Sequence, residues 1–457
     1  MRTSEKVIIG VFPAELGRLL KRPFFCATGQ NEIAPVKPSF IKLSDPAQMH
    51  AQQQENGPKL QVFMARDDAA RDRVFAFRYR VLVEASGLQS DYADHEAKTV
   101  REPLDHGALQ IYVADMQSGE TAAALRLNAG ALDSKIGDIG KMAGFGPFKE
   151  FSANALTMTS MLVIAPKYQT SSAASLAISA AYKMARKCGS LFDFTQCAPE
   201  MLPLYQKLGY RKFRDNFMDD TLGYQVPLVL VTQDYGHLTF VRSPLGAIAR
   251  KMTNSSETAS WFNRTFPDYA NVPIESTLND EDFWYLLARK LNQSPLAGIA
   301  LLDGLTYSEA IEFMRAGSVL DCPAGGRIMK KGQIGREMYV ILSGAVKVLA
   351  GADDAVVARL EKGELFGELA YLSESPRTAD IIADEDVELL VLTQKMMEKA
   401  LAEMPAIAAR ILFNLSLILC GRLKNSTAVL VSAAQGQKSD ASTGEEMPES
   451  PEIAEAG

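Results

Sequence analysis

The chain has 457 residues, 47% hydrophobic and 23% charged, the balance of a soluble globular protein with about two to four domains of ~100–200 residues each. Its net charge of −7 is concentrated at one end: residues 436–457 hold six carboxylates against Lys438, which leaves −2 for everything before them. A near-neutral body lacks the basic footprint of nucleic-acid binding. The five cysteines (Cys26, Cys188, Cys197, Cys322, Cys420) form no CxxC pair and have no histidine at ligand spacing, which argues against a zinc site or a disulfide framework and fits a reducing cytoplasm.

Residues 1–58 lack sustained periodicity and end in a Gln-rich linker, AQMHAQQQENGP. Regular structure is expected from Leu60. Ala70–Ala85 spaces Val74, Phe77, Val81 and Ala85 as one face of a helix. After a polar loop, two strands are predicted over 109–114 and 121–127, then an apolar run over 156–165, an Ala-rich helix over 171–188, a strand over 191–197 and a short helix over 199–208 closed by Gly209. Leu228–Val231 and Leu238–Val241 read as the last strands of this block. A mostly helical connector is expected over 244–303. From Gly317 the pattern changes to short Gly-punctuated strands, over 339–342, 345–349, 356–360, 381–383 and 388–392, which predict a small barrel or sandwich. Ala406–Leu423 then places Ile407, Ile411, Leu412, Leu415, Ile418, Leu419 and Leu423 on one side of a long helix, a face for the chain's own barrel, for a mobile lid or for a homodimer seam. Its longest apolar run, Ile411–Cys420, falls short of the ~20 residues a bilayer span needs, so no stable membrane span is expected. From Ser426 the acidic, Pro- and Ser-containing tail is expected to be disordered.

Phe366–Asp380 reads FGELAYLSESPRTAD. A cyclic phosphodiester needs a cation, oriented backbone N–H groups and a carboxylate acceptor for its ribose 2′-OH. Gly367 lets the backbone approach, Glu368 opens a short helix and can accept from the hydroxyl, and Arg377, after the Pro376 turn, supplies the cation. The segment resembles the phosphate cassette of the cyclic-nucleotide-binding domain family, FGELA followed by PR[ATS]A. GREMYVILSGAVKVL (335–349) and VARLEKGELFGELA upstream are similar to the same family. The resemblance covers about 120 residues and implies a β-roll over 304–425 with a C-terminal lid helix. It also implies a ligand, cAMP or cGMP, held by Gly367, Glu368, Leu369, Ala370, Arg377, Thr378 and Ala379. A threonine after the arginine, as at Thr378, is often associated with cGMP in that family, while other members with it prefer cAMP, and the reading leans to cAMP. No helix-turn-helix follows, which argues against a transcription regulator.

The segments MLVIAPKYQTSSAA (161–174), LFDFTQCA (191–198) and LYQKLGYRKF (204–213) resemble the core of the GNAT N-acyltransferase superfamily. There the helix N-terminus receives a phosphate of the donor thioester, two central strands splay to admit the pantetheine arm, and a tyrosine protonates the departing thiol. The resemblance assigns Tyr205 as that acid, and Val163, Gln169, Thr170, Ser171, Ser172, Ala173 and Ala174 to the acyl donor. The glycines of the family's pyrophosphate loop are replaced here, which shifts the expected donor from acyl-CoA toward acyl-carrier protein. Upstream, FRYRVLVEASG, DYADHE, PLDHGALQIYVAD and GETAAALRLN are similar to the acyl-homoserine-lactone and N-acyl amino acid synthase branch. That similarity implies roles for Arg80, Asp105 and Arg126, with Arg78 and Asp94 as the alternatives of a shifted alignment, and Glu84 or Asp105 as acceptor of the amine proton.

Together these readings describe an α+β chain: a GNAT-like mixed-sheet domain over 59–243, the connector, the β-roll and a 426–457 tail. The expected function is a cyclic-nucleotide-regulated N-acyltransferase acting on an amino-acid-type amine. The alternatives are a signalling or docking protein with an inactive acyltransferase fold, and a cyclic-nucleotide-dependent protein-lysine acetyltransferase.

Overall fold

The computed structural model describes residues 58–442 apart from 89, 131–145, 170, 220–221, 271–276, 351–354 and 374. Thr170, the extension before residue 58 and the tail after 442 therefore lie outside the described residues.

The N-terminal half is built on one mixed sheet. Across it lie Leu60–Ala65, Leu109–Asp115, Thr121–Ala129, Leu156–Ile164, Phe192–Cys197, Gly223–Val231 and Arg211–Lys212, with Phe217–Asp219 added beside the 223–231 strand. The first four strands are antiparallel. The 156–164 and 192–197 strands are parallel and paired only from Leu156↔Phe192 to Met158↔Phe194; beyond that point they part, and 192–197 pairs antiparallel with 223–231 instead. Where they part, the 156–164 strand is irregular against its other neighbour, and Met161 takes φ +54. A buried non-glycine residue in that region is strained and is held by its surroundings.

Helix Asp68–Tyr79 starts at Asp67, whose carboxylate accepts from the Ala70 N–H at 2.8 Å, and buries Val74, Phe77 and Arg78 toward the sheet. A π-helical turn, Arg80–Ala85, follows it. The Ala-rich helix runs Ala173–Lys187, its small residues Ala173, Ala177 and Ala181 close against the strands. Leu238–Val241, expected as a strand, lies in helix Tyr235–Phe240 and the residue that caps it: the Asp234 side chain accepts from the His237 N–H, a local cap that outweighs the β-branched Val241. In the connector, helix Glu257–Thr265 carries Trp261 and Phe262, which together with Phe266 join Phe148, Phe192, Phe194 and Phe213 in an aromatic cluster under the sheet.

The C-terminal domain packs two four-stranded sheets. One runs Ser318–Cys322, Val387–Thr393, Glu337–Ser343, Leu365–Phe366; the other runs Arg327–Met329, Asp380–Ala383, Val346–Ala350, Ala355–Leu360. The terminal helix spans Pro405–Ser442, 38 residues, so the disorder expected from Ser426 is corrected as far as Ser442, up to which the chain is helical. Ile407, Ile411 and Leu415 are buried against the β-roll, and the Asn414 amide donates to the carbonyls of Leu301 at 2.9 Å and Asp303 at 2.8 Å. Each such apolar side chain contributes ~1.5–3 kcal/mol on burial. Leu423, read from sequence as part of that face, is exposed. The helical stretch Pro405–Ala428 contains an 18-residue window of mean hydropathy 1.6 and is by length and composition alone able to cross a membrane, while Ile407, Ile411 and Leu415 on it pack against the β-roll.

The two domains share a boundary. Lys212 pairs with Asp321 at 2.6 Å, the Asn216 amide donates to the Asp321 carbonyl at 2.7 Å, and the Gln333 amide donates to the Asp219 carbonyl at 2.9 Å. Tyr224 and Val226 from one side share a core with Leu320, Cys322 and Met329 from the other.

Candidate functional site

In the C-terminal domain, Tyr339↔Phe366 and Val340↔Leu365 pairing brings the end of the 365–366 strand beside Glu337. Gly367 follows at φ +86, where a Cβ would run into the Met329 side chain and lie 2.9 Å from the Arg377 guanidinium, so only glycine fits. Glu368 then opens the helix Glu368–Ser373. Ala370 is buried, Leu369 and Thr378 are exposed, and Ala379 is half-buried.

Arg377 is 5% exposed. Its backbone N–H donates to the Gln333 carbonyl and its carbonyl accepts from the Gly332 N–H, both at 2.8 Å. Its guanidinium donates to the Gly367 carbonyl at 3.0 Å and to the Glu337 carbonyl at 2.8 Å, and it pairs with the Glu337 carboxylate at 2.9 Å. Gly335 makes room for it, since a Cβ there would overlap the guanidinium. Glu368, 6% exposed, pairs with Arg422 of the terminal helix at 2.7 Å, and Arg422 also donates to the Leu365 carbonyl. The structure thus brings Gly367, Glu368 and Arg377 together and adds two partners that sequence reasoning missed. Glu337 stood unremarked inside GREMYVIL, and Arg422 was an ordinary polar position of an amphipathic helix.

A second charged cluster lies in the N-terminal domain. Arg78, fully buried, donates to both Asp105 carboxylate oxygens at 2.8 Å and to the side-chain amide oxygen of Gln110 at 2.6 Å. Arg126, also fully buried, donates to Glu102 at 2.7 Å, to Asp105 at 3.3 Å and to the Ser160 hydroxyl at 3.0 Å. Two cations and two anions balance. Burial by itself would raise the Asp105 carboxyl, but the Arg78 and Arg126 guanidiniums beside it prevail and hold it at about 2. Glu102 is pushed up, because burial outweighs the pull of Arg126. The Arg78 Nε and one terminal nitrogen of Arg126 are buried without a hydrogen-bond partner. Glu102 and Asp105 line a cavity of about 510 Å³ with Asp68, Arg71, Phe75 and Arg101.

Arg80 is not part of this cluster. It opens the π-helical turn, exposed, with its guanidinium 5.7 Å from the Phe77 ring, while Arg78 shares the inward face with Val74 and Val81 and takes the buried place. Glu84 is exposed and pairs with Lys98 at 3.1 Å. Asp94 caps a surface loop through the N–H groups of Glu96 and Ala97. Tyr205 is 2% exposed and packs edge-on against Tyr210 at 5.3 Å; burial raises its phenol. Nearby, Asp193 accepts from Thr157 at 2.7 Å and Thr159 at 2.8 Å as well as from Tyr210 at 2.5 Å, a buried knot at the point where the strands part.

Among the donor residues, Val163 is buried in its strand and Gln169 ends a 3-10 turn. The Ser171 hydroxyl accepts from the Ala173 N–H at 3.2 Å and donates to the Tyr168 carbonyl at 2.6 Å. Ser172 stands at the N-cap with no side-chain cap bond, and Ala173 and Ala174 form the first turn of the helix.

Residues 319–404 match the family described as cyclic nucleotide-binding domain. The chain is 31% identical over 148 residues to cyclic nucleotide-gated channel beta-3 of Mus musculus, covering 31% of this chain and 21% of the channel. It is 32% identical over 122 residues to the cAMP-dependent protein kinase regulatory subunit of Blumeria graminis, covering 27% and 31% of the two chains. To the cyclic AMP receptor protein of Thermus thermophilus it is 34% identical over 107 residues, covering 23% and 48%. The chain thus spans between about a fifth and a half of the length of these relatives. A cyclic nucleotide-binding domain occupies residues 319–404.

Proposed function

We propose that the protein is an N-acyltransferase whose activity is set by a cyclic nucleotide, with cAMP favoured over cGMP. For the nucleotide, Arg377 would turn from Glu337 to the phosphate, and Glu368 would exchange Arg422 for the ribose hydroxyl. The cAMP-dependent kinase subunit and cyclic AMP receptor among the relatives favour cAMP.

The acyltransferase reading rests on one observation: the parallel strands 156–164 and 192–197 part after Met158 and Phe194, beside the irregularity at Met161 and just ahead of helix Ala173–Lys187. Such a notch accepts an extended thioester arm with its phosphate at the helix N-terminus, and backbone N–H groups freed by the irregularity could polarise the carbonyl. The missing loop glycines favour the single phosphate of an acyl-carrier protein over acyl-CoA. On the α68–79 side, the cavity lined by Arg71, Arg101, Glu102 and Asp105 offers cations for a carboxylate and anions for an ammonium, which suits an amino-acid-type amine. There the amine nitrogen attacks the thioester carbonyl, the C–S bond breaks, and the amine proton passes to a base. Of the two carboxylates beneath that cavity, Glu102, whose side chain is fully buried, becomes the better base once a substrate opens the site, because Asp105, held at about 2, has no useful affinity for a proton near neutral pH. Tyr205 remains the candidate acid for the thiolate.

Release of carrier-protein or CoA thiol, followed across amines with and without cAMP, tests the reading. Turnover that is lost in Tyr205→Phe and changes with cAMP supports it. A second reading, an inactive fold that only docks, draws on the enclosure of Tyr205 in the core; it predicts no thiol release with any donor. Transfer confined to CoA donors and protein lysines would instead identify a lysine acetyltransferase.

A further inference from the structure

A cavity of about 700 Å³ opens where the N-terminal domain, the connector and the β-roll meet. Its volume lies within the ~300–1,000 Å³ of small-molecule sites. Leu202 and Leu228 wall it from the N-terminal domain, Leu278 and Leu286 from the connector, and Val319 from the β-roll. It shares no lining residue with the Glu102–Asp105 cavity. Its polar corner is set by strand register. Asp321 and Glu388 stand directly opposite each other on the paired strands Ser318–Cys322 and Val387–Thr393, so their side chains share one face and repel. Each is taken by a lysine from outside the β-roll. Lys212 of the N-terminal domain pairs with Asp321 at 2.6 Å, and Lys290 of the connector helix Asp280–Leu291 pairs with Glu388. The register thus brings the two ammonium groups to neighbouring places on the cavity wall. The lysine side chains are 16% and 15% exposed, their carboxylate partners 54% and 36%. The cations are the enclosed members of these pairs, and the anions face water.

We propose that this cavity is a second small-molecule site, which takes an amphipathic carboxylate: its hydrocarbon chain lies among the leucines and Val319, and its head on Lys212 and Lys290. The entering carboxylate claims the two ammonium groups, while Asp321 and Glu388 turn to the water they already touch, where their mutual repulsion is screened. The exchange costs little, because the lysines are already largely withdrawn from solvent. Arg289 adds a further cation to the lining, and the remaining lining carboxylate, Asp268, is exposed. Both ends of the ligand are needed: an uncharged chain leaves the lysines with their present partners, and a short anion leaves the apolar wall wet. Occupancy replaces two ion pairs that hold the β-roll to the rest of the chain. It also meets helix Leu202–Leu208, which carries Tyr205, so the site is placed to act on both domains. Two sources share this chemistry, a free fatty acid and the N-acyl amino acid that the proposed transfer would release; only the second rests on the acyltransferase reading.

The test is calorimetric titration of the full chain, with no thioester donor present, with decanoate, N-decanoylglycine, decanol and acetate. Decanoate is expected to bind about tenfold or more tighter than decanol, which lacks the charge-assisted bonds to the lysines. It should bind about a hundredfold or more tighter than acetate, which has no chain to bury. N-decanoylglycine binding tighter than decanoate assigns the site to an acylated amine, and the reverse order assigns it to a free fatty acid. Lys212→Gln and Lys290→Gln should each weaken decanoate about tenfold. Leu286→Trp, which fills the apolar end without touching a charge, should weaken it at least as much and keeps the test open where a lysine variant does not fold. Carboxylate binding that the folded variants leave unchanged puts the ligand elsewhere and overturns the proposal. So does decanol binding as tightly as decanoate, or no saturable binding of either carboxylate by wild type, results that need no variant. Absence of thiol release with every donor would sink the acyltransferase reading and leave this site standing.

Discussion

The two halves of the molecule both bury arginines against carboxylates, but they do so to different ends. In the N-terminal domain Arg78, Arg126, Glu102 and Asp105 form a neutral set in which each charge is paired within the set. In the C-terminal domain Arg377 and Glu368 are each held by one carboxylate or guanidinium, Glu337 and Arg422, beside glycines that leave space. A closed set fixes a local geometry. An open pair can trade its partner for a ligand of the same charge at little cost, because the desolvation of the group has already taken place. The contrast separates charges paired among themselves from charges whose partners a ligand could replace.

Three substitutions sharpen or break that contrast. The largest effect is expected for Arg126→Ala, which strands Glu102 as an uncompensated buried carboxylate and leaves Asp105 to Arg78 alone, and should cost about 3–5 kcal/mol of N-terminal stability in denaturant unfolding. A cost below ~1 kcal/mol would mean that the set is not closed. Next, Arg377→Ala should weaken cAMP binding by about 2–5 kcal/mol, roughly 30-fold or more by calorimetry, through loss of the charge that meets the phosphate. Binding that survives this change would remove the receptor reading. The smallest effect belongs to Arg422→Ala. Arg422 is a third exposed, so its pair with Glu368 is partly screened. Freeing Glu368 should tighten cAMP about two- to fivefold; weaker binding would show that Arg422 belongs to the liganded state as well.

How legible each half was in the sequence follows the same division. Gly367, Glu368 and Arg377 fall within one fifteen-residue segment, so their chemistry could be read in line. The N-terminal cluster is gathered from separate segments: Arg78 and Asp105 are 27 residues apart, Arg126 and Ser160 are 34 apart. An alignment of short motifs left Arg78 and Arg80 both open, and the helical face shared with Val74 and Val81 places Arg78 in the buried cluster. Glu84, placed near the chemistry by proximity in sequence, lies in the π-helical turn and faces solvent. The terminal helix was recognised by its apolar face, yet it runs on to Ser442, past the point where that face ends in sequence, because helix continuation needs no apolar stripe.

The sequence by itself determined the phosphate cassette, the alternation that builds the β-roll and the 3.6-residue stripe that seats Ile407, Ile411 and Leu415. These are local properties, set by periodicity and by residues within one or two turns of chain. Only the tertiary structure decided which partners the charged groups take. Glu337 lies 40 residues from Arg377, Arg422 lies 54 from Glu368, and Gln333 reaches Asp219 across 114 residues. A buried charge takes whatever counter-ion strand register and domain docking bring within ~3–4 Å, and no spacing along the chain encodes that meeting.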